Sequence, residues 1–214
     1  MRFFLPLYII ISEKKEFVKE KRMKRDDHLA LAAYLMSLNP QVWERRGLRT
    51  AFYAGSVLPD SNPATYLRGV TRAGRPAGHD RAYSYPLILR LLSGLLRTGV
   101  TDARQAYRMG ALMHYLADAL TYPHTAMFRG GVPDHNRFER ALHRAFPEAL
   151  RRAESRMPPL SDPFRTLAVE LAENAPVSVS PAENADKIIA LCSAVWRSVF
   201  QENAGKSLFS NKKS

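Results

Sequence analysis

The chain has a single cysteine, Cys192, in 214 residues. No internal disulfide can form, and a thiolate zinc site of the finger or ribbon type is excluded. No stretch alternates apolar and polar residues over the length of a strand, and no segment repeats. The only N-terminal apolar run, Phe3 to Ile11, is too short to span a bilayer. It has one Arg ahead of it and no small-x-small cleavage pattern behind it, so it makes a poor export signal. That favours a cytoplasmic or membrane-peripheral location. No Ser or Cys sits in a pattern that would make it a covalent nucleophile.

Apolar residues recur at helical spacing instead, between Gly and Pro punctuation. The expected fold is all-α: about seven helices packed as one domain over residues 26–203. Residues 1–25 read as an accessory or disordered extension, with Met23 as an alternative start, and residues 204–214 as a basic tail. A helix opens at Asp26-Asp27-His28 and a second covers Gln41 to about Ser56, followed by a turn through Gly55–Asp60. Residues 61–85 read as a long loop rich in Gly, Pro and Arg, which in a compact domain is functional or mobile. Pro86–Arg97 is a buried helix, and Thr101 caps one that runs to about Tyr122. Asp134 caps the next, ending near Arg156. Asp162-Pro163 starts a short helix to about Asn174, and Ser180-Pro181-Ala182-Glu183 is a capping box for the last.

The stretch Gly110–Glu139 organises the rest. It holds three of the six histidines. His114 and Asp118 are four apart, so on a helix they share a face one turn from each other. His135 and Glu139 repeat the arrangement, and His124 lies between, just past Pro123. Imidazole nitrogen and carboxylate oxygen suit zinc. These five donors exceed what one tetrahedral site needs, so the stretch reads as the frame of a cluster of two or more metals. Gly110 and Ala111 would let another backbone approach just below His114. His28 at a helix start, Asp60 after a proline, and His79 in the long loop are further candidate ligands, each weak when taken singly. His143, one turn past Glu139, reads as an outer or surface residue.

The net charge of +12 favours anionic partners: phosphate esters, nucleic acid or an acidic membrane. The first 22 residues contribute a surplus of three positive charges to that total.

In the ordered set His28, Gly55-Ser56 with Pro59-Asp60, His79, His114-x-x-x-Asp118, His124 and His135-x-x-x-Glu139, the chain resembles the zinc-dependent phospholipase C family, relatives of the P1-type nucleases. The resemblance covers about residues 26–145. It implies a mostly helical domain with up to three zinc ions in a cleft. It implies that His79, His114 and Asp118 bind one zinc, and that His124, His135 and Glu139 bind a second. His28 would bind a third, bridged by Asp118, with Asp60 as general base or extra ligand. In the family the third zinc also takes the amine and carbonyl of an N-terminal tryptophan. Here the only tryptophans, Trp43 and Trp196, both follow His28. The expected count is therefore two zinc ions, with Asp27 as a substitute ligand should the third site fill.

The implied activity is hydrolysis of a phosphodiester by metal-activated water, with phospholipid head groups as substrate and peripheral contact with an anionic membrane. Nucleic acid is the lesser substrate. A nuclease would need an aromatic slot for a base, for which Tyr66, Tyr83, Tyr85 and Phe128 are the candidates. A third reading is a binding protein that keeps the metals without turnover.

Overall fold

We describe residues 25–61, 79–153 and 158–210 of a computed structural model, with side chains as far as residue 201. Seven α-helices account for most of them, and no strand occurs among the described residues. In chain order they are α1 (Arg25–Ser37), α2 (Arg46–Ser61), α3 (Arg81–Thr98), α4 (Ala103–Leu120), α5 (Val132–Arg152), α6 (Pro163–Glu170) and α7 (Pro181–Ser210). Short 3-10 turns lie at Pro40–Trp43 and Tyr122–His124. None of the described helices is long and apolar enough to cross a membrane. The expected N-terminal extension falls almost wholly outside the described residues, as does 62–78 of the long loop.

The all-α expectation holds, and the reason is visible in α4. Every residue from Met109 to Leu120 is buried. A helix apolar on all sides belongs inside a bundle, and α4 is enclosed by α2, α3 and α7. Leu92, Leu112, Leu116, Ile188 and Trp196 fill the space between these helices. Asp102 starts α4 by accepting a hydrogen bond from the Gln105 amide at 2.8 Å, so the cap is one residue later than Thr101. Two polar side chains interrupt the buried stretch, His114 and Asp118. Burying them costs free energy unless they find partners, and the site described below supplies those partners.

The approach of α2 to α4 depends on glycine. A Cβ on Gly110 would lie 2.7 Å from the Ser56 nitrogen and 2.9 Å from the Gly55 carbonyl carbon. A Cβ on Gly55 would meet the Tyr107 carbonyl and stand 3.0 Å from the Ala111 nitrogen. The two helices therefore cross backbone to backbone, the close approach that Gly110 and Ala111 foretold.

Several boundaries differ from the sequence reading. The turn expected at Gly55–Asp60 is helix: α2 continues through Pro59 to Ser61. A proline forfeits one hydrogen bond of the ladder, and here it does so in the last turn, where Ser56, Val57 and Pro59 are already buried. Likewise α3 begins at Arg81, five residues before Pro86. Arg81 is buried and anchors that first turn, donating from Nε to the Ala119 carbonyl at 2.8 Å and from Nη1 to the Ala172 carbonyl at 3.2 Å. Asp134 sits inside the first turn of α5, not before it, and its carboxylate accepts from the Gly131 amide at 3.2 Å. Helix α5 ends at Arg152 and α6 at Glu170, both short of expectation. The Asp162 cap of α6 forms as read, accepting from the Arg165 amide at 2.9 Å. The last helix runs to Ser210, beyond residue 203.

Candidate metal centre

His114 and Asp118 stand on the same face of α4, both buried. His114 Nδ1 donates to the Ser56 carbonyl at 3.0 Å, across the glycine crossing of α2 and α4. That contact fixes the ring and turns Nε2 inward. There it lies 3.3 Å from His79 Nδ1 and 3.4 Å from Asp118 Oδ2. His79 Nδ1 is 2.8 Å from the same Asp118 oxygen. Asp60, from the last turn of α2, brings Oδ1 to 3.7 Å from both His79 Nδ1 and His114 Nε2. The donor atoms of Asp60, His79, His114 and Asp118 all lie within 4.8 Å of one another. His28, on α1, reaches the other oxygen of Asp118 at 3.3 Å and Asp60 at 3.9 Å. Its ring lies against that of His114, with centroids 4.2 Å apart.

A second group forms beside the first. His135, in the opening turn of α5, holds Nε2 2.7 Å from Glu139 Oε1 one turn on. His124, from the turn after α4, points Nε2 at the same oxygen from 3.7 Å. These three donors also lie within 4.8 Å of one another. The turn carrying His124 is pinned from behind, because the Tyr122 amide donates to Asn184 Oδ1 at 2.8 Å. Phe128 packs against Tyr122 and His135.

Electrostatics set the protonation of both groups. Burial works against the charge on His28, His114, Asp118, His124 and Glu139, and contacts with neighbouring groups override it at all of these but His114. Asp118 is pushed up by burial and drawn well below the usual carboxylate range by His114, His28 and His79. Burial likewise disfavours the charge on Glu139, but His124 and His135 bring it down to about 2. His114 is held neutral, first by burial and then by repulsion from His28. The ring it touches is shifted the other way: burial disfavours the charge on His28, but Asp118, Asp60 and Asp27 outweigh it and raise its pKa. At His124 burial is again outweighed, by Asp80 and Glu139, and the pKa rises to about 10. A cation taken up at His124 therefore displaces a proton.

The donors fit zinc. They are imidazole nitrogens and carboxylate oxygens in groups of three and four. Glu139 Oε2 is buried and makes no hydrogen bond, and a buried polar atom in that state is costly unless something else meets it. A cation would meet it.

All eight candidate ligands read from the sequence come together: His28, Asp60, His79, His114 and Asp118 on one side, His124, His135 and Glu139 on the other. Asp27, the suggested substitute ligand, instead hydrogen-bonds His143 Nδ1 at 2.7 Å through a buried carboxylate. His143 is thereby an outer partner of the α1 start. Of the described aromatic candidates, Phe128 is packed as stated above, Tyr85 lies against the core and Tyr83 is 43% exposed, while Tyr66 lies outside the described residues.

One residue escaped the sequence reading. Asp80 Oδ1 lies 3.3 Å from His124 Nδ1, behind the ring and away from Glu139. A carboxylate there fixes the tautomer and strengthens the other nitrogen as a ligand. Its neighbour His79 belongs to the first group, so one dipeptide joins both. The signal was an acid directly after a candidate ligand, but inside a long loop rich in Gly, Pro and Arg it stands out no more than its neighbours. The Asp80 side chain makes no capping hydrogen bond. Asp80→Ala should weaken zinc at the His124 group by roughly 10–100-fold and spare the His114 group. Asp80→Asn, which keeps an acceptor for Nδ1–H, should lose less. Competitive titration with a chromophoric chelator checks both, and equal weakening of the two groups by Asp80→Ala would count against the assignment.

The comparisons with known proteins agree with this geometry. A family model described as zinc-dependent phospholipase C matches residues 27–177, the span that carries all eight donors. No curated protein and no solved structure matches the chain.

Proposed function

The chain belongs to the zinc-dependent phospholipase C family, and from that premise we propose that it hydrolyses phospholipid head groups by attack of water on the phosphodiester. The observation that carries the reading is the pairing of two histidine–carboxylate groups, joined through His79-Asp80, with one carboxylate left within reach of solvent. The Asp60 side chain is 23% exposed, while those of His79, His114 and Asp118 are at most 4% exposed.

In this reading His79, His114 and Asp118 hold one zinc and His124, His135 and Glu139 hold a second, with His28 beside Asp118 as the place of a third. Zinc bound there supplies the Lewis acidity that lowers the pKa of a water towards about 7 and offsets the charge of an anionic ester. The chain's own side chains do the rest. Ser56 and Asp80 orient His114 and His124 through their Nδ1 atoms. Asp60 faces the solvent side of the first group, where it can orient a water and accept its proton. The water oxygen forms the new bond to phosphorus as the bond to the glycerol oxygen breaks. The products are a diacylglycerol and a phosphorylated head group, and no covalent enzyme intermediate is needed.

Hydrolysis of phosphatidylcholine, but not of single-stranded DNA, by the zinc-loaded protein tests the proposal; the reverse preference would favour a nuclease. Asp60→Asn separates the base from the ligands. It should keep zinc and lose turnover by about 10²-fold or more, the usual contribution of a positioned acid or base. Loss of zinc in that variant would make Asp60 a ligand rather than the base.

A further inference from the structure

The first turn of α1 carries two buried side chains that leave it in different directions, since consecutive residues of a helix diverge by about 100°. His28 reaches Asp118 on α4 at 3.3 Å and lays its ring against His114. Asp27 turns instead to α5, where its Oδ1 accepts from His143 Nδ1 at 2.7 Å. An acid in the first turn suits the positive end of the helix dipole, and Asp26 fills that role from an exposed position. Asp27 is only 3% exposed, and a carboxylate is buried at a cost unless it is bonded. The His143 side chain is 33% exposed and stands one turn past Glu139 on α5. The pair therefore ties the helix that brings His28 to the first group onto the helix that carries His135 and Glu139 of the second.

We propose that Asp27 and His143 are positioning residues for the first group: their hydrogen bond clasps the start of α1 to α5 and so holds His28 against Asp118 and His114. The inference rests on the zinc reading above and does not depend on which ester is cleaved. The opening turn of a helix lacks intrahelical partners for its first N–H groups and is where a helix frays. A ligand placed there keeps its position only if side chains anchor the turn from outside. Here one anchor faces the cluster, through His28, and the other faces α5, through Asp27. The consequence is asymmetric. His143 stands on the helix of the second group, yet the residue it fixes belongs to the first.

The test is competitive zinc titration of the full chain, with the first group read in a His135→Ala background and the second in a His114→Ala background. His143→Ala should weaken zinc at the first group by about tenfold, the lower end for a side chain that acts through a ligand's surroundings, and leave the second group unchanged. His143→Asn, whose Nδ2 can donate from the place of Nδ1, should restore most of that loss. Asp27→Ala should also weaken the first group, and the double variant should lose no more than Asp27→Ala alone, because both changes remove one contact. Arg144→Ala, exposed beside His143 on α5, should alter neither group. Circular dichroism checks that each variant stays helical. A His143→Ala protein with unchanged zinc affinity at the first group, or with an equal loss at both groups, overturns the clasp, as do additive losses in the double variant. A chain that takes up no zinc in either background removes the zinc reading along with the clasp, so the two failures are distinct.

Discussion

His114→Ala and Asp118→Asn should each remove zinc from the first group and, with it, more than about 100-fold of phosphodiester hydrolysis, beyond what loss of a supporting outer partner costs. The two substitutions act on different parts of one arrangement. His114 presents Nε2 to the group only because Ser56 holds Nδ1 from behind at 3.0 Å. Asp118 receives His79 on one oxygen and His28 on the other, at 2.8 and 3.3 Å, so its amide analogue leaves two buried imidazoles without their carboxylate. In the metal-free protein that carboxylate is ionised despite burial, because three histidines surround it. Asn cannot carry the charge. Far-ultraviolet circular dichroism checks that each variant stays helical, and metal analysis and turnover are then read on the same sample. Full activity in either variant would remove the first group from the mechanism.

The second large effect lies away from the ligands, in the backbone crossing beneath them. Gly110→Ala should destabilise the protein by about 2 kcal/mol or more, although alanine is the better helix former by about 1 kcal/mol. The added methyl meets the backbone of α2 at Phe52, Gly55 and Ser56, and backbone cannot rotate aside as a flexible side chain can. Overpacking of this kind costs typically 1–3 kcal/mol and at times more. For a chain of this size the melting temperature should fall by roughly 4–8 °C. Any retreat of α2 also carries the Ser56 carbonyl away from His114, so zinc affinity at the first group should weaken together with stability. Gly94→Ala is the matched control. A Cβ there meets nothing within 4 Å, so the same substitution in α3 should be neutral or stabilising by up to about 1 kcal/mol. Thermal melts of the two variants, with and without zinc, read both effects. A Gly110→Ala protein as stable as Gly94→Ala would refute the close crossing.

These two sites also mark how much the sequence disclosed. The i, i+4 spacing of His114 with Asp118 and of His135 with Glu139 needs only a helix to become geometry, and the helices form because their apolar residues recur at that same period. Gly110 was legible for a similar reason: small residues one turn below a ligand imply a near neighbour. What spacing cannot give is which distant segments meet. His28, Asp60 and His79 each carried a weak signal alone. They gain meaning when α1, the end of α2 and the start of α3 converge on α4. Asp80 was missed because the sequence places it inside a long loop, where an acid carries no signal of its own, and only the fold reveals that it is turned towards His124. Pro59 misled in the opposite way. Its local preference for a turn lost to the burial of Ser56, Val57 and Pro59 itself, and the extra turn of α2 is what carries Asp60 to the site.

The helix ends tell the same story. Asp162 accepts from the Arg165 amide as its position suggests, because a cap is a local interaction. The start of α3 five residues ahead of Pro86 depends on Arg81, whose guanidinium reaches the carbonyls of Ala119 and Ala172 from far along the chain. The same arginine fixes the turn that carries His79 and Asp80, so a boundary missed in the sequence and a ligand dipeptide are set by one buried side chain.

The most direct measurement of the central claim is the zinc content of the purified protein, taken beside phosphodiester hydrolysis before chelation, after chelation and after zinc is returned. The account predicts about two zinc ions per chain, hydrolysis that disappears with the metal, and recovery on zinc addition. A protein that holds no zinc, or one that hydrolyses the ester equally well once stripped of it, would contradict the account.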